Sequence, residues 1–447
     1  MTKLDTVHSL TTTLVQGQPL VAVFFGGTGG IGHYTLRALA TASAKNGGKG
    51  FRAYIVGRKA KAAEDIIAEC HDIYPQGKYK FVKIDDLSLI KDVDRACADI
   101  VELEEKESQH PRIDYLMMCQ GGSIFLPRID TKEGLDVTMS LMYYSRMRII
   151  TKLLPLLLKS KLPPAVVSVY AAGSEAKLFP EDLSLRDLSH YSYSQARSHM
   201  AYMHTFFMEN LAEQNRGKLA LIHIFPGVVL GPGFQNPELP AWFRVVWNCF
   251  FVPIFGRFLT VKPDNCGNRM LSLASTCYPP RPIDESSNKE AVTKGTDGKP
   301  GSGVYSLTWN GENNFPSKLY SAINKDEMRK KVWEHTARAF EVIEAGEVFK
   351  EYFIFCADLL GLLYGSSSPF SFNPDTSRIC GPDFLQTTIR DNIRLHKQIL
   401  DTLDVTSVAA VIGESMESIT TLEWPLCTLK DYVKTIILIT TPADHSA

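Results

Sequence analysis

The sequence lacks the marks of a disulfide framework, a metal site or a membrane span. Nine cysteines are scattered over 447 residues, with no Cys-x-x-Cys pair and no ligand-like cluster. That excludes a disulfide scaffold and reads as buried thiols in a reducing compartment. Neither sign of charge is in excess: 48 Lys and Arg stand against 49 Asp and Glu. Electrostatics therefore give no case for nucleic acid or an acidic membrane surface as partner. The first residues, MTKLDTVHSLTTTLVQGQPL, contain no apolar run of the leader-peptide kind, and a cytoplasmic location is expected. The most apolar stretch is AWFRVVWNCFFVPIFGRFL, residues 241–259, in which Arg244 and Arg257 bracket 12 uncharged residues broken by Pro253. A spanning helix needs about 20. A substrate-covering lid, plain core and a helix lying on a membrane surface stay open as readings of this segment. No internal repeat is present.

What is present is a regular alternation. Apolar residues make up 45% of the chain, enough for a sizeable core. From residue 20 to about 230, short apolar runs (LVAVFFGG, GFRAYIVGR, KFVKIDD, IDYLMMCQGG, PAVVSVYAAG, LALIHIFPG) alternate with longer helical stretches. That pattern predicts an α/β fold, a doubly wound parallel sheet of Rossmann type covered on both faces. The polar run 284–303 reads as a loop, followed by a charged helix, and the character of the sequence changes again near 347.

Between the first strand and the first helix of this pattern lies VFFGGTGGIG, with Gly26, Gly30 and Gly32 in G-x-x-x-G-x-G spacing around Thr28 and Ile31. Small residues here let the backbone approach a pyrophosphate, whose charge the helix N-terminal amides bind. The second strand ends in Arg58 and Lys59, where an NAD-binding chain would carry an acid. A guanidinium at that point suits a 2′-phosphate, so NADP is expected, with NAD the lesser alternative. Asp86, after the third strand, suits either a contact to the adenine or a helix N-cap.

With these motifs in order, residues ~20–340 resemble the short-chain dehydrogenase/reductase family, in particular its divergent fungal members from secondary-metabolite pathways. The glycine motif, Asp86, the Tyr-x-x-x-basic helix at Tyr193 and Arg197, and FPGVVLGPG with Pro226 and Gly227 carry the resemblance. It implies an NADP-dependent interconversion of ketone and alcohol. The aromatic 241–259 segment points to a bulky apolar substrate. The resemblance also leaves room for a homo-oligomer, and for a cofactor-binding pathway protein without redox turnover.

The same resemblance implies a tetrad of Asn, Ser, Tyr and Lys, and this chain departs from it. Tyr193 takes the tyrosine position and Arg197 the lysine position, one helical turn apart. A fixed cation is expected to lower the phenol's pKa, but Arg does not release its proton, so a lysine-type relay is blocked. The serine position is Ala171, with Ser174 three residues on, and the asparagine position falls at Met142 or Tyr143. Only Gly121 persists from the family's Asn-Asn-Ala-Gly segment, which reads MCQG here. Tyr143, Tyr170 and Tyr191 each offer a hydroxyl in place of the serine. His199 and His204 read as helix-face residues, and His190 as a conceivable acid or base.

Residues 346–447 resemble part of the homoserine O-acetyltransferases, of α/β-hydrolase fold. VTSVAAVIGESMESITTLEW reads as strand, sharp turn and helix with Ser415 at the turn. Gly413, Ser415 and Met416 fit the family's turn, but Glu414, Glu417 and Ser418 stand where it has glycine. Asp444 and His445 read as ordinary strand-end residues. The expected division is an N-terminal extension (1–19), a reductase domain (20–345) and a truncated acyltransferase-like fragment (346–447), the last a fused gene remnant or a faulty gene model without acyl transfer.

Overall fold

The computed structural model describes residues 3–122, 127–231, 239, 241–253, 260–283, 292–350, 388–402, 405, 408, 410–414, 417–428, 432–433 and 435–439. The chain divides into two compact units, Met1–Phe349 and Lys350–Ala447.

In the first unit, seven strands form one parallel sheet. They are β1 (Leu20–Phe25), β2 (Phe51–Gly57), β3 (Lys78–Lys83), β4 (Tyr115–Met118), β5 (Ala165–Val169), β6 (Ala220–Ile224) and β9 (Val304–Leu307), in the order β3-β2-β1-β4-β5-β6-β9. A separate two-stranded ribbon pairs β7 (Val228–Val229) with β8 (Thr260–Val261). The inner strands are buried on both faces, which is why LVAVFF and AVVSV read as continuous apolar runs. Successive residues of β1 point to opposite sides. Val21, Val23 and Phe25 enter one core, while Leu20, Ala22 and Phe24 enter the other. The edge strand β3, KYKFVK, keeps lysines at its exposed positions, which discourages pairing with another chain.

The first core is closed by α4 (Ile90–Glu107), α6 (Ser145–Leu157), α7 (Tyr193–Gln214) and the helix Lys325–Glu344. The second is closed by α1 (Leu4–Gly17), α2 (Gly30–Lys45), α3 (Ala60–Ile73) and the helix Pro263–Ser272. The segment before β1 is part of this layer, because Val7, Thr11 and Val15, spaced four apart on one face of α1, are all buried. Strand order reverses between β1 and β4, whose neighbours β2 and β5 lead away on either side. A crevice outside the carboxyl ends of the strands at that point is where such sheets bind ligands.

The short helix α5 (Val137–Met139) passes into α6 through a π-helical turn, Ser140–Tyr144. Such turns are rare and cluster at functional sites, and this one contains Met142 and Tyr143, where the family's asparagine falls. The segment from Ala241 is helical: α8 (Ala241–Val246) runs into a second π turn, Trp247–Phe251. Val245, Val246 and Phe250 are about half exposed there, so this face is not plain core. No helix among the described residues is long and apolar enough to cross a membrane.

In the second unit, β10 (Val411–Glu414) pairs in parallel with β11 (Ile436–Ile439), and the helix Glu417–Cys427 follows β10. Ile393, Leu400, Trp424 and Tyr432 form its small core. Ile412, Leu422 and Leu426 are exposed. Ser415, Met416, Asp444 and His445 lie outside the described residues.

Candidate active site

The glycines meet different physical demands. Gly26 has φ +79°, and a Cβ there would sit 2.8 Å from the Gln120 amide nitrogen at the end of β4. Gly32 is as tight, its Cβ position being 2.8 Å from both Cys119 Sγ and the Gly26 carbonyl oxygen. Gly30 is the opposite case: φ is +54° and nothing lies within 4 Å of a Cβ built on it. It opens α2, whose first turn has no side-chain cap. Uncapped amides beside open space make a cradle for an anion at the positive end of the helix. Ile31 is half-buried against the second core, and Thr28 packs on Gly57, where a Cβ would lie 2.4 Å from its methyl carbon. The glycine turn is thereby fixed to the end of β2.

Arg58 and Lys59 follow Gly57 directly and are exposed. Neither takes part in an ion pair among the described residues. Both are available to a phosphate, and no carboxylate stands beside them in sequence to repel it. Asp86 accepts from the amide and the hydroxyl of Ser88 at 2.8 and 2.7 Å. It closes its own turn and is not the N-cap of α4, which is Leu89. Gly121 is exposed, beside Met142. Pro226 and Gly227 leave β6 at the same end of the sheet, Gly227 with φ +72° against Trp309 and Val261. The residues present fit a phosphorylated dinucleotide.

Tyr193 is the first residue of α7, and Ser192 caps the helix by accepting from the Gln195 amide. Arg197 lies one turn on, its guanidinium 5.6 Å over the Phe225 ring. Burial raises the Tyr193 pKa, and the Arg197 charge opposes it without reversing it. The expected lowering is therefore not what the geometry gives: desolvation of the phenolate outweighs one cation. At neutral pH the phenol keeps its proton.

The remaining expected positions resolve one by one. Ala171 is buried, and its amide donates to His223 Nε2 at 3.1 Å. Ser174 closes a turn through its amide, which donates to Ala171 O. His190 holds Asp182 at 2.9 Å and stacks on Phe179 at 3.8 Å, so it pins a loop. His199 is buried and accepts from the Phe179 amide at 2.7 Å. Tyr143 shares a buried hydrogen bond with Thr336 at 2.8 Å. Tyr191 donates to Asp136 at 3.2 Å, and burial raises its pKa to about 12.

A polar network that sequence reasoning missed lies behind these residues. Arg146 is 1% exposed and has no carboxylate partner among the described residues. Its Nη1 donates to Ser168 Oγ at 2.8 Å and Val169 O at 2.9 Å, and its Nη2 to Gln120 O at 2.6 Å. Burial lowers its pKa to about 10, so it stays charged at neutral pH. His204 Nδ1 donates to Met200 O at 2.6 Å, which leaves its Nε2 to accept from Ser168 Oγ at 3.0 Å. The His204 and His223 rings stack at 4.5 Å. The only trace in the sequence is one polar residue in each of two apolar strands, Ser168 in AVVSV and His223 in ALIHI. These two are cross-strand partners.

The chain is 36% identical over 351 residues to short-chain dehydrogenase/reductase SAT2 of Stachybotrys chartarum, an alignment covering 77% of this chain and 98% of that protein. It belongs to the short-chain dehydrogenase/reductase family. Oxidoreductase AN1596 of Emericella nidulans is 33% identical to this chain over 340 residues, covering 75% of this chain and 97% of that one. No family model matches. The C-terminal unit is similar to the homoserine O-acetyltransferase of Saccharomyces cerevisiae, 44% identical over 96 residues. Those residues are 22% of this chain and 20% of the acetyltransferase, so the chain spans about a fifth of that relative's length.

Proposed function

We propose that this reductase interconverts a ketone and an alcohol on a bulky apolar metabolite, with NADP as cofactor, in the cytoplasm and within a fungal secondary-metabolite pathway. The observation that carries the reading is the Tyr193–Arg197 pair, a half-buried neutral phenol one helical turn from a fixed cation. The glycine cradle and the exposed Arg58–Lys59 pair support a cofactor with a 2′-phosphate. The exposed apolar face of Val245, Val246 and Phe250 supports an apolar substrate, with this helix as its cover.

A bound nicotinamide would supply the hydride. The chain's own part is the proton. Tyr193, held neutral by burial, gives its proton to the carbonyl oxygen during reduction. The phenolate left behind is stabilised by Arg197, which cannot itself return the proton. The proton is restored from water.

The altered positions at Ala171 and Arg197 favour a second reading, a cofactor-binding pathway protein without redox turnover, as a cyclase, an isomerase or a scaffold. The two separate on purified full-length chain. Both require NADPH binding. Only the first requires a carbonyl-dependent loss of NADPH absorbance, and Tyr193→Phe should abolish that loss while leaving NADPH bound. Turnover that survives Tyr193→Phe would remove the phenol from the mechanism.

A further inference from the structure

Three tyrosine hydroxyls are candidates to replace the side chain missing at Ala171, and their hydrogen bonding separates them. Tyr143 is engaged with Thr336 and Tyr191 with Asp136. Tyr170 is not engaged: its hydroxyl oxygen is buried and has no hydrogen-bond partner among the described residues. The ring is held in place from several sides, by the Arg146 guanidinium at 5.5 Å and by the His204 and His223 rings at 6.0 and 6.2 Å. Its amide is fixed by Ile224 O at 2.8 Å, and that of the next residue by His223. Burial raises the Tyr170 pKa, the neighbouring Tyr193 adds to the rise, and the Arg146 and Arg197 cations oppose it, so the hydroxyl keeps its proton. A buried O–H left without an acceptor costs about 1–3 kcal/mol. A carbonyl oxygen brought to Tyr193 is such an acceptor.

We infer that Tyr170 is the second hydroxyl of the active site, donating a hydrogen bond to the same substrate oxygen that Tyr193 protonates, in place of the side chain missing at Ala171. The inference rests on the ketone–alcohol reading. Tyr170 keeps its proton throughout. Its hydrogen bond strengthens as negative charge grows on the oxygen, which is the condition for lowering a barrier and not merely binding substrate. Arg146, fixed behind the ring, adds a positive potential on the same side.

The test uses full-length protein, NADPH and 9,10-phenanthrenequinone as a bulky apolar dicarbonyl. Tyr170→Phe should lower kcat about 100- to 1000-fold with NADPH affinity unchanged. Ser174→Ala, which removes the other nearby hydroxyl, should be neutral. Adding Ala171→Ser to Tyr170→Phe should recover activity about tenfold, a rescue that a purely structural role would not show. A crystal structure with NADP+ and the quinone should place the Tyr170 hydroxyl about 3 Å from a quinone oxygen.

Full activity in Tyr170→Phe beside an inactive Tyr193→Phe would overturn the role of Tyr170 and leave the oxidoreductase reading standing. So would a loss of NADPH affinity that tracks the loss of activity, or a water occupying the Tyr170 hydroxyl while the quinone lies elsewhere. A wild-type chain that binds NADPH without reducing the quinone would overturn both.

Discussion

Arg146 donates to the main-chain oxygen of Gln120 over 2.6 Å, and a buried cation thereby ties the end of β4 to the end of β5. The guanidinium spans Gln120 O, Val169 O and Ser168 Oγ at once because its donors form a planar fork. An ammonium is a single point and cannot reach all three. Arg146→Lys keeps the charge but should leave at least one carbonyl unpaired, at a cost of about 2 kcal/mol. Urea unfolding should show the midpoint falling with no change in slope. Both strand ends border the crevice proposed to hold the cofactor, so weaker NADPH binding should accompany the loss.

The glycine motif should divide by geometry. Alanine at Gly26 or Gly32 meets backbone or sulfur at 2.8 Å, so each substitution should destabilise the fold by several kcal/mol, on the order of a severe core overpacking. Alanine at Gly30 meets open space. Its cost to the free protein should be about 1–2 kcal/mol, that of a left-handed backbone conformation at a non-glycine residue. Its added methyl instead points where a pyrophosphate would approach. Thermal melts with and without NADPH separate the effects: Gly30→Ala should melt near the wild type alone and lose most of the shift that cofactor gives.

Cofactor choice should rest on Arg58 and Lys59. Both are exposed, so their removal should leave the melting temperature unchanged. The double variant Arg58→Ala with Lys59→Ala should weaken NADPH at least tenfold, about 1.4 kcal/mol, and barely alter NADH. Titration by fluorescence transfer from protein to nicotinamide measures both. Equal weakening of the two cofactors would place the pair away from the 2′-phosphate.

Some of this architecture was legible from residues alone. Strands buried on both faces must be apolar throughout, so LVAVFF and AVVSV declared themselves, and a glycine run between strand and helix has few physical alternatives. What stayed hidden depends on partners far along the chain. Tyr143, Tyr170 and Tyr191 look equivalent in sequence. They are told apart only by Thr336, 193 residues from Tyr143, and by Asp136, 55 residues from Tyr191. Arg146 sits in a stretch that reads as an ordinary helix, and its role appears only when β4 and β5 are side by side. The direction of the Tyr193 shift was missed for a related reason. The pairing with Arg197 is visible as i, i+4, but the burial that outweighs it is a property of the folded core.

The three buried histidines of α7 and β6 set a pH dependence of stability. Burial lowers the pKa of His199 to about 4 and that of His204 to about 3, and moves His223 well below its usual value, with neighbouring charges adding to it. Each is neutral in the folded protein and titrates near 6.5 once unfolded. Below 6.5 the unfolded chain therefore binds more protons, and stability falls as pH falls until the folded-state values are reached. Each histidine contributes up to about 1.4 kcal/mol per pH unit over that window. Asp136 and Glu175 act in the opposite sense: burial raises their pKa, so their contribution is present at low pH and is lost as pH rises through the folded values. Three histidines against two carboxyls should leave a net loss of stability between pH 6.5 and 5, read by urea unfolding at several pH values. His204→Gln removes one of the three histidine titrations and should reduce that slope by at least a third. A slope unchanged in the variant would mean that His204 is protonated in the folded chain, with Ser168 turned to accept from it.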